Sequence, residues 1–175
     1  MAQVKRLTIP LRREDIDSLE VGDMISLTGN IIAGRDAVLP KVCELIANGA
    51  LGDLGMYFEG GAVFHTAVSP AGVGPTSSNK VEIEGSFDLL ASAGIRLHLG
   101  KGSISKDTVN VLAERHSCFA VTPPVTALLG AKTISSEVIA FPELGMEALH
   151  LLRVDDYPAI IAAVNGESMF DGLGK

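Results

Sequence analysis

Tryptophan is absent from the 175 residues and aromatic side chains make up only 5% of them, too few for a stacked aromatic binding platform. Cations are the scarcer charge: 14 Lys and Arg stand against 21 Asp and Glu, a formal net charge of -7. That balance argues against a phosphate-backbone binder, whose affinity comes from clustered Lys and Arg, so nucleic acid is not an expected partner. No apolar run approaches the roughly 20 residues that cross a bilayer. Lys5, Arg6, Arg12 and Arg13 are not followed by the apolar segment of a signal peptide, so the expected partners exclude a membrane and the expected compartment is the cytoplasm. The two cysteines, Cys43 and Cys118, have no C-x-x-C spacing. Neither a disulfide framework nor a metal site within this chain is indicated, and both thiols are expected to be buried and inert. The four histidines, His65, His98, His116 and His150, likewise lack metal-ligand spacing. No Gly-x-Ser-x-Gly elbow is present, which leaves covalent hydrolase chemistry without support.

What is present is a 47% hydrophobic chain with 19 glycines, long enough for one well-buried core and without an internal break. The expectation is a single α/β domain over residues 1–175, with a mixed sheet and packed helices. Val4–Ile9 reads as a strand stopped by Pro10, and Arg13–Leu19 as a short helix. Met24–Ala33 reads as a long strand bulged at Gly29, and Asp36–Asn48 as a helix capped by Asp36 and stopped by Gly49. Leu54–Ala67 reads as strands around Gly60-Gly61, followed by a loop over Ser69–Asn79. A helix is expected at Phe87–Ala93, a strand at Ile95–Leu99, and a helix at Lys106–Arg115 capped by Ser105. A helical turn at Thr126–Leu129 and strands at Val138–Phe141, Leu149–Val154 and Pro158–Val164 complete the pattern.

Three segments set cations or hydroxyls beside glycines where a strand ends: Gly34-Arg35-Asp36, Gly74-Pro75-Thr76-Ser77-Ser78-Asn79-Lys80 and Gly100-Lys101-Gly102. Open α/β sheets bind ligands at such strand ends. Guanidinium and ammonium groups, exposed backbone amides and hydroxyls are what a bound dianion needs. Taken singly, each has a plainer reading: Arg35 paired with Asp36 or a helix end, and Lys101 solvated on a surface turn. A nucleotide loop is excluded at Lys101, because Ile95 stands where the first glycine of G-x-x-x-x-G-K-[ST] must be and Gly102 replaces the hydroxyl residue. A dinucleotide fingerprint is excluded at Gly72-Val73-Gly74 by the missing third glycine and by Pro75. Among the histidines, His65 alone attracts notice, for its nearness in sequence to the glycine-rich loop.

In this order, the segments resemble the β subunit, or C-terminal domain, of the class I iron-sulfur fumarate hydratase and L-tartrate dehydratase family. Its G-x-x-x-x-x-R-D-A, G-P-T-T-x-x-R-M and G-K-G marks appear here as Gly29–Ala37, Gly74–Val81 and Gly100–Gly102, and its E-L-G-M-E-A as Glu143–Ala148. The resemblance runs from about Leu7 to Phe170. It implies a swivelling β/β/α domain that closes over a 4Fe-4S cluster held by a separate α subunit, not by this chain, and a small dicarboxylate such as fumarate, malate or tartrate as substrate. It also implies that Arg35, Gly74, Thr76, Ser77, Lys80 and Lys101 bind the substrate, with Thr76 and Lys101 in the catalytic set. A hetero-oligomer is the implied assembly, with a homodimer open to the chain when alone. Four departures mark this sequence: Lys80 replaces an arginine, Ser77 the second threonine, Leu39 a histidine, and Pro123-Pro124 a Gly-Gly pair. A point-charge ammonium does not reproduce bidentate carboxylate recognition, so a non-catalytic dicarboxylate-binding or regulatory paralogue is the rival reading. A metal-free enzyme acting alone is a third.

Overall fold

A computed structural model describes residues 3–69, 72–76, 80–122 and 126–171, with the backbone alone for 69, 72–76, 80–83 and 126–128. Strand β1 (Lys5–Thr8) and helix α1 (Arg13–Asp17) open the chain, followed by β2 (Met24–Gly34) and α2 (Leu39–Ala47). A 3-10 turn at Gly52–Leu54 runs into α3 (Gly55–Phe58), then come β3 (Ala62–Ser69), β4 (Gly72–Thr76), α4 (Lys80–Ser92), β5 (Leu97–Gly100), α5 (Lys106–Glu114) and β6 (Cys118–Val121). After α6 (Thr126–Ala131) the chain forms β7 (Thr133–Ala140), a 3-10 segment at Pro142–Glu147, the long strand β8 (Leu149–Val164) and the short β9 (Glu167–Ser168). No helix among the described residues is long and apolar enough to cross a membrane.

The sheet is mixed. β2, β3, β5 and β6 run parallel in that order, and β8 returns antiparallel, pairing with both β6 and β2. This double pairing closes β2, β3, β5, β6 and β8 into a small barrel, with β1 beside β2 and β7 beside β8 as flanking strands. The period-two alternation of strands then sorts the side chains. Leu27, Ile31 and Ala33 of β2, Ala62 and Phe64 of β3, Leu97 and Leu99 of β5, and Ala120 of β6 fill the interior. The opposite faces, carrying Ile32 and Val63, pack against Leu39 and Val42 of α2, Phe58 of α3 and Leu90 of α4. Phe119 meets Phe87 of α4 and Val109 and Leu112 of α5.

Several expectations are corrected by the environment that each residue meets. The helix expected from Asp36 begins at Leu39, with Val38 as its N-cap, because Arg35–Val38 form the tight turn leaving β2. Leu54–Phe58 is helical and not extended, since Tyr57 and Phe58 pack toward α2 and α4 instead of a strand neighbour. Half of the expected loop over 69–79 is strand β4, paired antiparallel with β3. β6 was not expected; its Cys118 and Ala120 lack any strand signal outside the barrel they help to line. The two strands expected at Leu149–Val154 and Pro158–Val164 are one, bent at the left-handed Asp156 (φ 55°) opposite a register shift at Leu27/Gly29. The bulge at Gly29 and the Ser105 cap, whose hydroxyl accepts from the Thr108 amide at 3.3 Å, agree with expectation.

One residue inside the barrel is imperfectly satisfied. Tyr157 is fully buried and packs edge-on against Phe64 at 6.2 Å, yet its hydroxyl has no hydrogen-bond partner among the described residues. Burial accordingly pushes its pKa up. A buried hydroxyl without a partner costs about 1–3 kcal/mol. Tyr157→Phe, which keeps the ring, is therefore expected to raise the melting temperature; a fall of several degrees in thermal unfolding would contradict the unsatisfied hydroxyl.

Candidate active site

The parallel strands of the barrel all end at one rim, and their register aligns the residues just beyond them. Gly34 of β2 pairs with His65 of β3; Phe64 pairs with Leu99, one residue before Gly100; and Gly100 pairs with Val121 of β6. The next row is therefore Arg35, Thr66, Lys101 and Thr122. β4 joins it, because Thr76 pairs with Thr66. Three segments scattered over the sequence thus meet at the carboxyl edge of adjacent strands, where α/β sheets place their ligands.

Each position has a local cause. Gly34 is obligatory for space: a Cβ there would lie 2.7 Å from Val38 Cγ1 and 3.2 Å from Leu149 Cδ1, so only glycine lets the turn into α2 fold back on β2. Leu39, 3% exposed, packs under that glycine, so this departure from the family pattern belongs to the core. Arg35 is partly buried, and its Nε lies 3.2 Å from Oε1 of Glu147. The plainer expectation of an Arg35–Asp36 pair thus gives way to a partner from the segment before β8. Ala33 pairs with His150, so the antiparallel β8 begins alongside the end of β2 and carries Glu147 to the same rim.

Lys101 follows β5 in an exposed turn and has no ion-pair partner among the described residues. Gly74 and Thr76 lie in β4, and Lys80 is the first residue of α4; their side chains, with Ser77 and Pro123-Pro124, lie outside the described residues. Backbone register therefore brings Arg35, Thr76 and Lys101 to one edge, and α4 opens with Lys80 a few residues after that edge. Glu147 and Thr66 went unassigned in the sequence. The E-L-G-M-E-A match was the only signal for Glu147, and nothing in it disclosed the contact with Arg35.

His65 does not reach the rim. It points outward from β3, fully buried under α4, with Nε2 3.3 Å from Nδ1 of His98. The ring of Phe87 stacks on His98 at 4.2 Å and lies 4.9 Å from His65. Burial lowers the pKa of His65 to about 3 and holds that of His98 well below its usual value, with the neighbouring His65 adding to the effect. Burial thus favours the neutral form of both rings, which pack against Phe87.

No group of three or more His, Cys, Asp or Glu side chains among the described residues could hold a metal ion. Cys118 lies inside the barrel, where burial pushes its thiol far up, and Cys43 is half-buried on α2, its thiol also raised by burial. The thiolates that an iron-sulfur cluster requires are not assembled by these residues.

Comparison with known proteins agrees with this architecture. The family model described as Fumarase C-terminus matches residues 2–173. The class I anaerobic fumarate hydratase of Escherichia coli (strain K12) is 34% identical over 152 residues, 81% of this chain and 27% of that protein. The L(+)-tartrate dehydratase subunit beta of the same strain is 28% identical over 174 residues, 92% of this chain and 83% of that subunit. Fumarate hydratase 2 of Leishmania major is 28% identical over 158 residues, 85% of this chain and again 27% of that protein. The chain thus spans about a quarter of the fumarate hydratases it matches and most of the tartrate dehydratase subunit. From the rim motifs, the closed mixed sheet and a match over nearly its whole length, the chain belongs to the fumarase C-terminus family.

Proposed function

We propose that this chain is the β subunit of an iron-sulfur-dependent hydro-lyase that adds water to, or removes it from, a small dicarboxylate of the fumarate, malate or tartrate class. The observation that carries the reading is the convergence of Arg35 and Lys101 with the end of β4 on one barrel rim. Guanidinium and ammonium groups on one edge can bind the two carboxylates of a small diacid by charge-assisted hydrogen bonds. Arg35 and Lys80 grip carboxylates, Lys101 completes the anion clamp, Gly74 and Ser77 offer an amide and a hydroxyl, and Thr76 positions the substrate or passes a proton through its hydroxyl. The cluster belongs to a partner α subunit, with which this chain forms a hetero-oligomer in the cytoplasm, while residues 1–175 act as one domain.

A non-catalytic dicarboxylate-binding paralogue is the second reading. Because Leu39 packs in the core, this reading rests on Lys80 and Pro123-Pro124. Anaerobic assays on fumarate, malate and L-tartrate separate the two, using the chain alone and co-expressed with its cluster-bearing subunit. Turnover confined to the complex is expected. Dicarboxylate binding without turnover, in a complex whose cluster is intact, would put the second reading ahead, and turnover by the chain alone in chelator would point to a metal-free enzyme.

A further inference from the structure

Glu147 has no role in the clamp just described, yet its position is tightly specified. It closes the 3-10 segment Pro142–Glu147, which is kinked at Gly145 (φ 60°) and tied back by the Ala148 amide donating to the Gly145 carbonyl at 3.0 Å. The start of β8 then fixes it beside the end of β2. Its Oε1 lies 3.2 Å from Arg35 Nε as an ion pair and not a hydrogen bond, while its Oε2 is buried without a hydrogen-bond partner among the described residues. A carboxylate oxygen buried in this way is unfavourable, so Arg35 is the contact that makes Glu147 tolerable where it stands. The relation is reciprocal. Arginine has a long stem with many rotamers, and a carboxylate held against the stem side of the guanidinium narrows, by charge, the positions its head group can take.

We infer that Glu147 is a positioning residue that holds the Arg35 guanidinium in the orientation needed for carboxylate recognition. The inference rests on the proposed carboxylate-gripping role of Arg35 and assigns a partner to it. An anion beside an anion site weakens it unless it acts through the cation between them, and here it reaches that cation at the stem-side nitrogen. Glu147 does not touch the substrate in this arrangement; it reduces the freedom that Arg35 must lose on binding.

The test uses the assembled complex carrying Glu147→Ala or Glu147→Gln, with steady-state kinetics on the substrate that the wild type turns over. Glu147→Ala is expected to raise KM about tenfold with kcat changed less than about threefold. Glu147→Gln keeps the shape of the side chain without its charge and is expected to recover only part of that loss. An unchanged KM in Glu147→Ala, or a Gln variant as impaired as Ala together with loss of one limb of the pH profile, would overturn the inference, the latter by making Glu147 a proton-transfer group. A second measurement keeps this separate from the proposed function: a melting-temperature cycle of Arg35→Ala, Glu147→Ala and the double variant in the full chain. A double variant less destabilised than the sum of the singles supports the restraint, and additivity overturns it. If the wild-type complex turns over no dicarboxylate, the proposed function fails, and the cycle alone decides the link between Glu147 and Arg35.

Discussion

In the hydro-lyase complex proposed above, Lys101→Ala is expected to lower kcat/KM for the proposed dicarboxylate substrate by about 10- to 150-fold, the equivalent of one charge-assisted hydrogen bond of roughly 1.5–3 kcal/mol. The melting temperature should stay where it is. Lys101 is exposed and has no ion-pair partner among the described residues, and it follows the last residue of β5. Truncation removes a charge from the rim and leaves nothing unsatisfied. This sets it apart from Arg35, whose loss would leave the partly buried Glu147 carboxylate without its ion-pair partner and so mix a folding defect with a binding defect. Lys101→Ala is thus the cleaner probe of the site, and wild-type kinetics in this variant would sink the clamp. Lys101→Arg retains the charge with a planar head group, and is expected to fall between the two.

Acid is expected to unfold the chain well above the carboxylate range. His65 and His98 are neutral in the fold because burial lowers both pKa values, that of His65 from 6.5 to about 3. In the unfolded chain both titrate near 6.5. Between those values the unfolded state binds more protons than the fold, so stability is fully present above about pH 6.5 and declines as pH falls toward 3. His65 contributes a slope of about 1.4 kcal/mol per pH unit, so by pH 4.5 it costs on the order of 3 kcal/mol, a sizeable fraction of an ordinary domain's stability, and His98 acts in the same direction. Asp15 and Asp23, whose pKa values are lowered from 3.8 by the Arg12 amide and by Lys5 respectively, add to the loss only at the acid end of this window, below about pH 4. Urea unfolding at a series of pH values checks the slope. Imidazole NMR resonances assigned to His65 and His98 that titrate near pH 6 in the folded chain would show that the pair is solvated and would remove the prediction.

The candidate site was legible in the sequence to the extent that its parts are local. Gly34-Arg35, Gly100-Lys101 and the Gly74–Lys80 segment could each be recognised because glycine and a cation at a strand end are contiguous in the chain. Their meeting on one rim depends on strand register, which period-two patterning leaves open. The Arg35–Glu147 contact was illegible for the same reason, since it exists only because β8 doubles back to begin where β2 ends. His65 misled in the opposite sense: adjacency to the glycine-rich loop suggested chemistry, while its strand parity turns it away from the barrel and under Phe87. In the fold itself, strong alternation and capping signals gave β2 and α5 nearly at their true limits. β6 and the α3 segment escaped because their four-residue runs carry too little periodicity, and the surrounding packing decides their state.

The double pairing of β8 also orders events in time. β2 takes one neighbour from Leu149–Val164, near the other end of the described chain. During synthesis β2, β3, β5 and β6 can associate as an open parallel ribbon, but the seam stays unsealed until β8 has left the ribosome. Until then the backbone edge of β2 and the apolar lining of Leu27, Ile31 and Phe64 remain uncovered. A nascent chain stalled before Leu149 would therefore display to chaperones the surface that the finished barrel hides.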